Sequence, residues 1–288
     1  MPEEKITPIY SGKKEYFHWV GFGSGSGTNL RECAKVIKPV LIFSDKPKAG
    51  LLNLEELADV PKEIIDGYEW CGSWKKAKGN RAAEEEYERR SIQYNEEIVR
   101  ALKQFERQQG ITIDLIVLGG YMRLVKAPLL EAYKDKIINV HPADLSKLVH
   151  VSDKGVDRCF RKYIGDRAVH DAMIAGEQTT RSSVIMVDNG EDHGEILVQG
   201  PIVEVTSDFT WLGEKKQNEK LNEYAEAHQN IQKQESDWPA LTTALKMIAE
   251  GRIALGTEKV YFNEQRIVYV DGKALPYEGF QITGKIKS

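Results

Sequence analysis

The chain has 288 residues, 29% of them charged and 41% hydrophobic, with a formal net charge of −4 at pH 7. That length suits one large α/β domain or two smaller ones, and the charge argues against a general nucleic-acid or membrane-surface binder. No apolar run approaches the roughly 20 residues of a membrane span, and no secretory signal is visible, so we expect a cytoplasmic protein.

The cysteine and histidine content argues against disulfides and metal centres. Three scattered cysteines (Cys33, Cys71 and Cys159) cannot build a disulfide framework and fit a reducing cytoplasm. The six histidines form no HExxH motif and do not pair with cysteine at zinc spacing. His141 and Asp144 could share a metal ion, but no third ligand lies near them in the sequence. We therefore expect no bound metal.

In the first half of the chain, short apolar runs alternate with helical patterns. In chain order, the predicted elements are a strand over 16–22, a helix opened by GSGSGTNL and continued through Val36, a strand over 39–43, a short helix over 51–59, an irregular stretch over 60–80, an amphipathic helix over 81–109, and strands over 114–118 and 137–140. The predicted apolar stripe of the long helix comprises Ile92, Tyr94, Ile98, Ala101, Leu102 and Phe105.

The second half of the sequence shows a different pattern. Strands over 183–187 and 196–205 flank the acidic loop DNGEDHGE, a helical region over 214–250 ends at Gly251, and a C-terminal hairpin turns at Asp271-Gly272. We therefore predict a Rossmann-like α/β fold: a mostly parallel sheet with helices on both faces, an antiparallel extension, and a C-terminal helix plus β-hairpin. We expect a single domain over 1–288, with its core at about 16–210 and the appendage at about 214–288.

The run from Asn139 to Pro142 is the most informative part of the sequence. Asn139 and His141 are two residues apart in a predicted strand, so their side chains point to the same side of the sheet. Pro142 cannot donate a ladder hydrogen bond, so His141 lies at the carboxyl end of the strand, where open α/β sheets bind ligands. An amide and an imidazole there suit oxyanion stabilisation with proton transfer. The alternative is a surface or capping histidine.

Two loops add candidate residues. The loop after the first strand contains Gly21, Gly23, Gly25 and Gly27, but it matches neither G-x-G-x-x-G nor the P-loop, so it predicts either an anion site or a tight turn. Asp192 lies in the acidic loop, where Gly190 and Gly194 permit sharp bends. A carboxylate there is either solvated or faces His141 and holds an imidazolium.

Taken together, the segments GSGTNL, GGYMRLV, NVHPADLS and DHGEILVQ resemble the folate-dependent formyltransferases, most closely their glycinamide ribonucleotide transformylase branch. The resemblance runs from about residue 17 to 275. It implies formyl transfer from 10-formyltetrahydrofolate, the cosubstrate, to the primary amine of a phosphorylated acceptor in purine biosynthesis. Folate and a small-molecule amine are the implied partners, and a homodimer is left open.

The resemblance also implies roles for individual residues. The implied catalytic residues are Asn139, His141 and Asp192; the folate-binding residues are Met122, Arg123, Leu124 and Val125 together with the Asp192 loop; the acceptor-binding residues are Gly27, Thr28 and Asn29, with Gln234 or Glu235 at the ribose. The chain departs from the family by an insert at 148–162 and by Ile185, where purine transformylases often have histidine.

Three alternative functions stay open on the sequence. The first keeps the formyl transfer and changes the acceptor to an amino-sugar nucleotide. The second is a nucleotide-binding or NAD-dependent protein that uses the glycine loop, with Asp45 about where a ribose-binding acid would lie. The third is a family member that binds a partner without catalysis.

Overall fold

The computed structural model describes residues 5–153, 156–206, 218–261 and 263–283. Sixteen strands occur in these ranges: β1 (Thr7–Pro8), β2 (Trp19–Gly23), β3 (Leu41–Ser44), β4 (Lys62–Ile64), β5 (Leu115–Leu118), β6 (Ile137–His141), β7 (Leu148–Asp153), β8 (Val156–Arg161), β9 (Thr179–Thr180), β10 (Ser183–Met186), β11 (Ile196–Gln199), β12 (Val203–Glu204), β13 (Ile253–Lys259), β14 (Arg266–Val270), β15 (Lys273–Ala274) and β16 (Phe280–Gln281). None of the helices within the described ranges is long and apolar enough to cross a membrane.

Eight α-helices accompany these strands in the described ranges: α1 (Thr28–Val36), α2 (Gly67–Cys71), α3 (Trp74–Ala77), α4 (Arg81–Gln109), α5 (Ala127–Ala132), α6 (Ala168–Ile174), α7 (Asn218–Gln232) and α8 (Trp238–Ala249). A π-helical turn, Lys233–Asp237, joins α7 to α8. The chain divides into two compact units, the first comprising Glu15–Asn139 and Val187–Asn189, the second comprising Met1–Lys14, Val140–Met186 and Gly190–Ser288. Strand β6 passes from the first unit into the second.

The first unit contains a parallel sheet with the strand order β6-β5-β2-β3-β4. Its strands are short apolar runs, and β2, β3 and β5 are buried throughout, as expected for a parallel sheet covered by helices. Helix α4 buries Tyr94, Ile98 and Leu102 in this core. The fold class predicted from the sequence, a mostly parallel sheet flanked by helices, is confirmed.

Most element predictions for the first unit are confirmed, and α4 is confirmed at both ends. The Asn80 side chain accepts a hydrogen bond from the backbone of Ala83 at its start, and Gly110 ends it at φ 65°. One assignment to its predicted apolar stripe is wrong: Ile92 is not buried against the core but is 38% exposed.

The predicted strand over 16–22 is shorter and shifted, since β2 spans Trp19–Gly23. The helix predicted over 51–59 is wrong: Gly50–Asn53 and Glu55–Leu57 are two 3-10 turns. The backbone N–H of Leu51 donates to the Gly25 carbonyl at 3.0 Å, a tertiary contact with the glycine loop that the helical period does not predict. The stretch over 60–80, predicted to be irregular, contains β4, α2 and α3.

The second unit is mostly antiparallel. Strands β10 and β11 pair antiparallel, which confirms the predicted extension, and β13, β14 and β15 form a meander whose turn at Asp271 (φ 51°) and Gly272 (φ 76°) is also confirmed. The predicted strand over 196–205 is split into β11 and β12 around Pro201, which has no N–H to donate. The predicted helix over 214–250 is α7, the π-helical turn and α8; residues 214–217 lie outside the described ranges.

The insert at 148–162 is a β-hairpin. Strands β7 and β8 pair antiparallel as a separate two-stranded sheet, from Leu148 opposite Arg161 to Asp153 opposite Val156. No secondary structure was predicted for the insert from the sequence.

Candidate active site

His141 and Asp192 lie side by side in the second unit. Strand β6 ends at His141 because Pro142 follows, and the side chain of Asp192 reaches the ring from the loop between β10 and β11. The distance from His141 Nδ1 to Asp192 Oδ2 is 3.3 Å, and the two side chains are 6% and 11% exposed. Of the two alternatives for this loop, the structure thus has the carboxylate facing the imidazole.

Both ring nitrogens of His141 face oxygen atoms. Nε2 lies 3.1 Å from the backbone carbonyl oxygen of Tyr163, which can only accept, so Nε2 carries a proton. In the neutral ring, Nδ1 therefore presents a lone pair to Asp192. When the ring gains a second proton, the carboxylate receives an N–H from Nδ1. The pair can hold and release a proton at this atom.

The pKa of His141 lies below its usual value. Burial is the largest cause, since it disfavours the charged ring; the Asp192 carboxylate and the Tyr163 carbonyl act in the opposite direction, and the positive charge of Arg161 adds to the lowering. Burial therefore favours the neutral ring, and the carboxylate beside it favours the protonated form.

Asp192 has an unusual backbone conformation, with φ 47°. The left-handed region costs a non-glycine residue roughly 1–2 kcal/mol, which surrounding contacts must offset. The chain bends at Gly190 and Gly194, as expected from the sequence, and the positive φ falls on Asp192 between them. Gly194 is needed for another reason: a Cβ there would lie 1.9 Å from the carbonyl oxygen of Met186.

Contacts from Arg161, Gly165 and Gln265 hold the Asp192 loop, and Tyr163 contacts His141; the sequence predicted none of these contacts. The backbone N–H of Gly165 donates to Asp192 Oδ2 at 2.9 Å. The Arg161 guanidinium donates to the carbonyl of Asp192 and, at 2.9 Å, to that of Gly194. Tyr163 supplies its carbonyl to His141. Backbone groups carry no side-chain signal in a sequence, and Arg161 lies in the insert, outside every recognised motif.

Asn139 occupies the position two residues before His141 on β6, so its side chain projects to the same side of the strand. Its Cα is paired with that of Leu118 on the neighbouring strand β5. Within the described part of the chain, its amide makes no hydrogen bond. The catalytic roles of Asn139, His141 and Asp192 stay predictions.

The glycine loop leads directly into α1 in the first unit. Gly27, at φ 72°, precedes the helix and offers no side-chain cap, and the first turn of α1 contains no acidic residue. The first N–H groups of α1 are therefore open to an anion. The buried Oδ1 of Asn29 has no hydrogen-bond partner among the described residues. Binding by Gly27, Thr28 and Asn29 stays a prediction.

The folate-binding residues predicted by resemblance differ in their surroundings. Met122 and Leu124 are 65% and 59% exposed, and Val125 packs against the core of the first unit. The guanidinium of Arg123 pairs with Asp45, with Nε 2.9 Å from Oδ2, and Asp45 also accepts from Ser24. Asp45 is 1% exposed, so it does not offer a carboxylate to a ribose. This ion pair was not predicted from the sequence.

The remaining predicted residues lie in the second unit. Gln234 and Glu235 are exposed on the π-helical turn, a short irregularity that often marks functional sites. Asp144 does not face His141 as a shared metal ligand would; its Oδ1 accepts from Gln199 at 2.8 Å and from Ser146. The described residues contain no cluster of three or more His, Cys, Asp or Glu side chains that could hold a metal ion.

Comparison with known proteins identifies the family. The formyl transferase family model matches residues 20–223, more than half of the chain. The chain belongs to the formyl transferase family. The enzyme class that the sequence motifs implied, folate-dependent formyl transfer, is confirmed at this level.

Among the family's curated members, phosphoribosylglycinamide formyltransferase of Bacillus subtilis is 29% identical over 188 residues, covering 63% of this chain and 76% of that protein. The trifunctional purine biosynthetic protein adenosine-3 of Drosophila melanogaster is 28% identical over 190 residues, 62% of this chain. The match spans only 11% of that much longer protein.

Solved structures of family members support the fold. Phosphoribosylglycinamide formyltransferase of Coxiella burnetii covers 93% of this chain and 99% of its own, with a TM-score of 0.57 at 22% identity. Glycinamide ribonucleotide transformylase 1 of Symbiobacterium toebii covers 88% of this chain and 94% of its own, with a TM-score of 0.55 at 23% identity. At this identity the likeness concerns the fold.

Proposed function

We propose that this formyl transferase moves the formyl group of 10-formyltetrahydrofolate onto the primary amine of glycinamide ribonucleotide. The observation that carries the proposal is the buried His141–Asp192 pair at the end of β6, with Nδ1 and Oδ2 3.3 Å apart. The name of the Bacillus subtilis relative supports the choice of acceptor. No metal is needed, because the chemistry requires only proton transfer and oxyanion stabilisation.

The reaction forms one bond and breaks another at the formyl carbon. The neutral amine nitrogen of the acceptor attacks that carbon, and the formyl oxygen becomes an oxyanion. The bond from the carbon to N10 of the folate then breaks, and the proton lost by the amine is delivered to N10. Tetrahydrofolate and the formylated acceptor leave.

In this proposal His141 acts through both nitrogens. Its Nε2–H, which donates to the Tyr163 carbonyl at 3.1 Å, turns to the oxyanion, and the Asn139 amide donates to the same oxygen. Nδ1 takes up and releases the proton, and Asp192 stabilises the imidazolium that forms. Because the pair is buried, these interactions are stronger than they would be in water.

Acceptor and folate binding follow the motifs. The start of α1, at Gly27, Thr28 and Asn29, would bind the acceptor phosphate, since an uncapped helix N-terminus favours an anion. Glu235, with Gln234 beside it, would contact the ribose hydroxyls. The segment from Met122 to Val125 would bind the pterin; Met122 and Leu124 provide exposed apolar surface for it.

The acceptor can be tested by comparing turnover with three amines at equal concentration: glycinamide ribonucleotide, its dephosphorylated nucleoside and a nucleotide-linked amino sugar. Release of tetrahydrofolate is followed by absorbance. We expect the highest kcat/KM with glycinamide ribonucleotide and a large rise in KM without the phosphate. Faster turnover of the amino sugar would assign the other acceptor, and no turnover with any amine would point to a binding protein.

A further inference from the structure

Arg161 ends the hairpin that distinguishes this chain from the family motifs. It is the last residue of β8 and lies opposite Leu148 on β7. Arg158 lies three residues earlier on the same strand, so it projects from the opposite face of the hairpin, where it is exposed. The two arginines therefore have the same chemistry and different surroundings.

The guanidinium of Arg161 binds the Asp192 loop and the side chain of Tyr277. Nη1 donates to the Asp192 carbonyl, Nη2 donates to the Gly194 carbonyl at 2.9 Å, and Nε donates to the hydroxyl of Tyr277 at 3.1 Å. The cation also lies over the ring of Tyr277, 5.7 Å from its centroid. No carboxylate among the described residues pairs with Arg161. The two Nη groups thus bind the backbone carbonyls on either side of His193.

These contacts affect the position of the Asp192 carboxylate, because Arg161 binds the backbone carbonyl of Asp192, whose φ is 47°. An αL residue outside glycine persists only when its surroundings hold it. On the other side, Gly165 N–H fixes Oδ2 at 2.9 Å. With the backbone held by Arg161 and the carboxylate held by Gly165, Oδ2 stays in reach of His141.

We propose that Arg161 is a positioning residue, which keeps the Asp192 carboxylate against His141 by binding the carbonyls of Asp192 and Gly194. The insert hairpin therefore acts as a support for the active-site loop. The effect of Arg161 on kcat rests on the proposed function, whereas its effect on the position of the Asp192 carboxylate does not.

The geometric consequence is measured by amide hydrogen exchange at Gly165 in the full chain. Arg161→Ala should speed exchange of this amide at least about tenfold, because a hydrogen bond to a charged acceptor is lost. Arg158→Ala, the matched control, should leave it unchanged. Equal exchange in wild type and Arg161→Ala would overturn the proposal. Should Arg161→Ala fail to fold, Arg161→Lys serves in its place, because an ammonium group cannot bridge both carbonyls.

The kinetic consequence is measured by a double-mutant cycle. Arg161→Ala should lower kcat by about 10²-fold with little change in the KM of the acceptor, as expected when a catalytic group is misplaced by about 1 Å. In an Asp192→Asn background the same change should have almost no further effect on kcat, because Arg161 acts through Asp192. Independent, multiplying losses would overturn the proposal. A wild-type protein without formyl transfer would refute the proposed function, and Gly165 exchange would still decide the role of Arg161.

Discussion

His141 and Asp192 are far apart in sequence, and the structure brings Nδ1 and Oδ2 to 3.3 Å from each other in a buried setting. The contact depends on a strand that stops at Pro142 and on a loop in which the carboxylate-bearing residue has a positive φ. A solvated loop acid would need neither feature. The arrangement is that of a histidine–carboxylate pair that can bind a proton, and its effect on the pKa of His141 can be measured.

The pKa of His141 should lie below 6.5, the usual value for histidine. Replacing Asp192 by Asn should lower it further, because the carboxylate is the main group that raises it. NMR titration of the ring nitrogens measures both values. A wild-type pKa at or above 6.5, or a higher pKa in Asp192→Asn, would contradict the assigned electrostatics.

The same shift has a consequence for stability. Because the folded pKa is lower than the unfolded one, the unfolded chain binds more protons between the two values. The contribution of neutral His141 is therefore complete above about pH 6.5 and is lost as the pH falls from the unfolded pKa to the lower folded pKa. His228, whose pKa burial also lowers, adds to this loss. Urea unfolding of His141→Gln and His228→Gln should show a weaker loss of stability on acidification than wild type does.

Arg123→Ala should destabilise the protein strongly. The change leaves Asp45, 1% exposed, without its cationic partner, and an uncompensated buried charge costs about 3–5 kcal/mol. Arg252→Ala, which breaks the exposed pair with Asp271, should change the free energy of unfolding much less. Chemical denaturation compares the two variants. Similar losses would show that Arg123 does not compensate a buried charge on Asp45.

Gly194→Ala should distort the Asp192 loop, since its Cβ would lie 1.9 Å from the backbone oxygen of Met186. We expect a loss of about 1–3 kcal/mol, the usual cost of overpacking, together with reduced turnover. Gly50→Ala is the control, because the nearest atom to its Cβ would be 3.5 Å away. Thermal unfolding and kcat are measured for both. A fully stable and active Gly194→Ala would refute the close approach.

Thr28→Asp separates helix stability from anion binding. An acid in the first turn of α1 favours the helix dipole, so the protein should be as stable as wild type or more so. The same charge should repel the acceptor phosphate and raise KM about tenfold, which corresponds to roughly 1.4 kcal/mol. Thr28→Asn is the neutral control. If the two variants had equal KM values, the phosphate would not bind at α1.

Elements with local signals were predictable from the sequence. Helix α4 has a capping Asn80, a long apolar period and a terminal Gly110, and its predicted bounds agree with the structure. The short apolar runs predicted the parallel strands, because a strand covered on both faces reads as a continuous apolar segment. His141 was placed at the strand end by Pro142 alone.

Features set by tertiary contacts were not predictable. The 3-10 turns at Gly50–Asn53 and Glu55–Leu57 accompany a backbone hydrogen bond from Leu51 to Gly25, far away in sequence. The contacts that hold the Asp192 loop include those of Arg161 and Gly165, which are also distant in sequence. The positive φ of Asp192 was not predicted either, because glycine is the residue that adopts this conformation most easily.

The central claim is that His141 carries the formyl transfer, and the His141→Ala variant tests it most directly. Turnover with 10-formyltetrahydrofolate and glycinamide ribonucleotide is measured beside equilibrium binding of a folate analogue, with His170→Ala as the histidine control. We expect kcat to fall by about 10²–10³-fold or more while folate binding survives and His170→Ala stays active. Full turnover by His141→Ala would contradict the account.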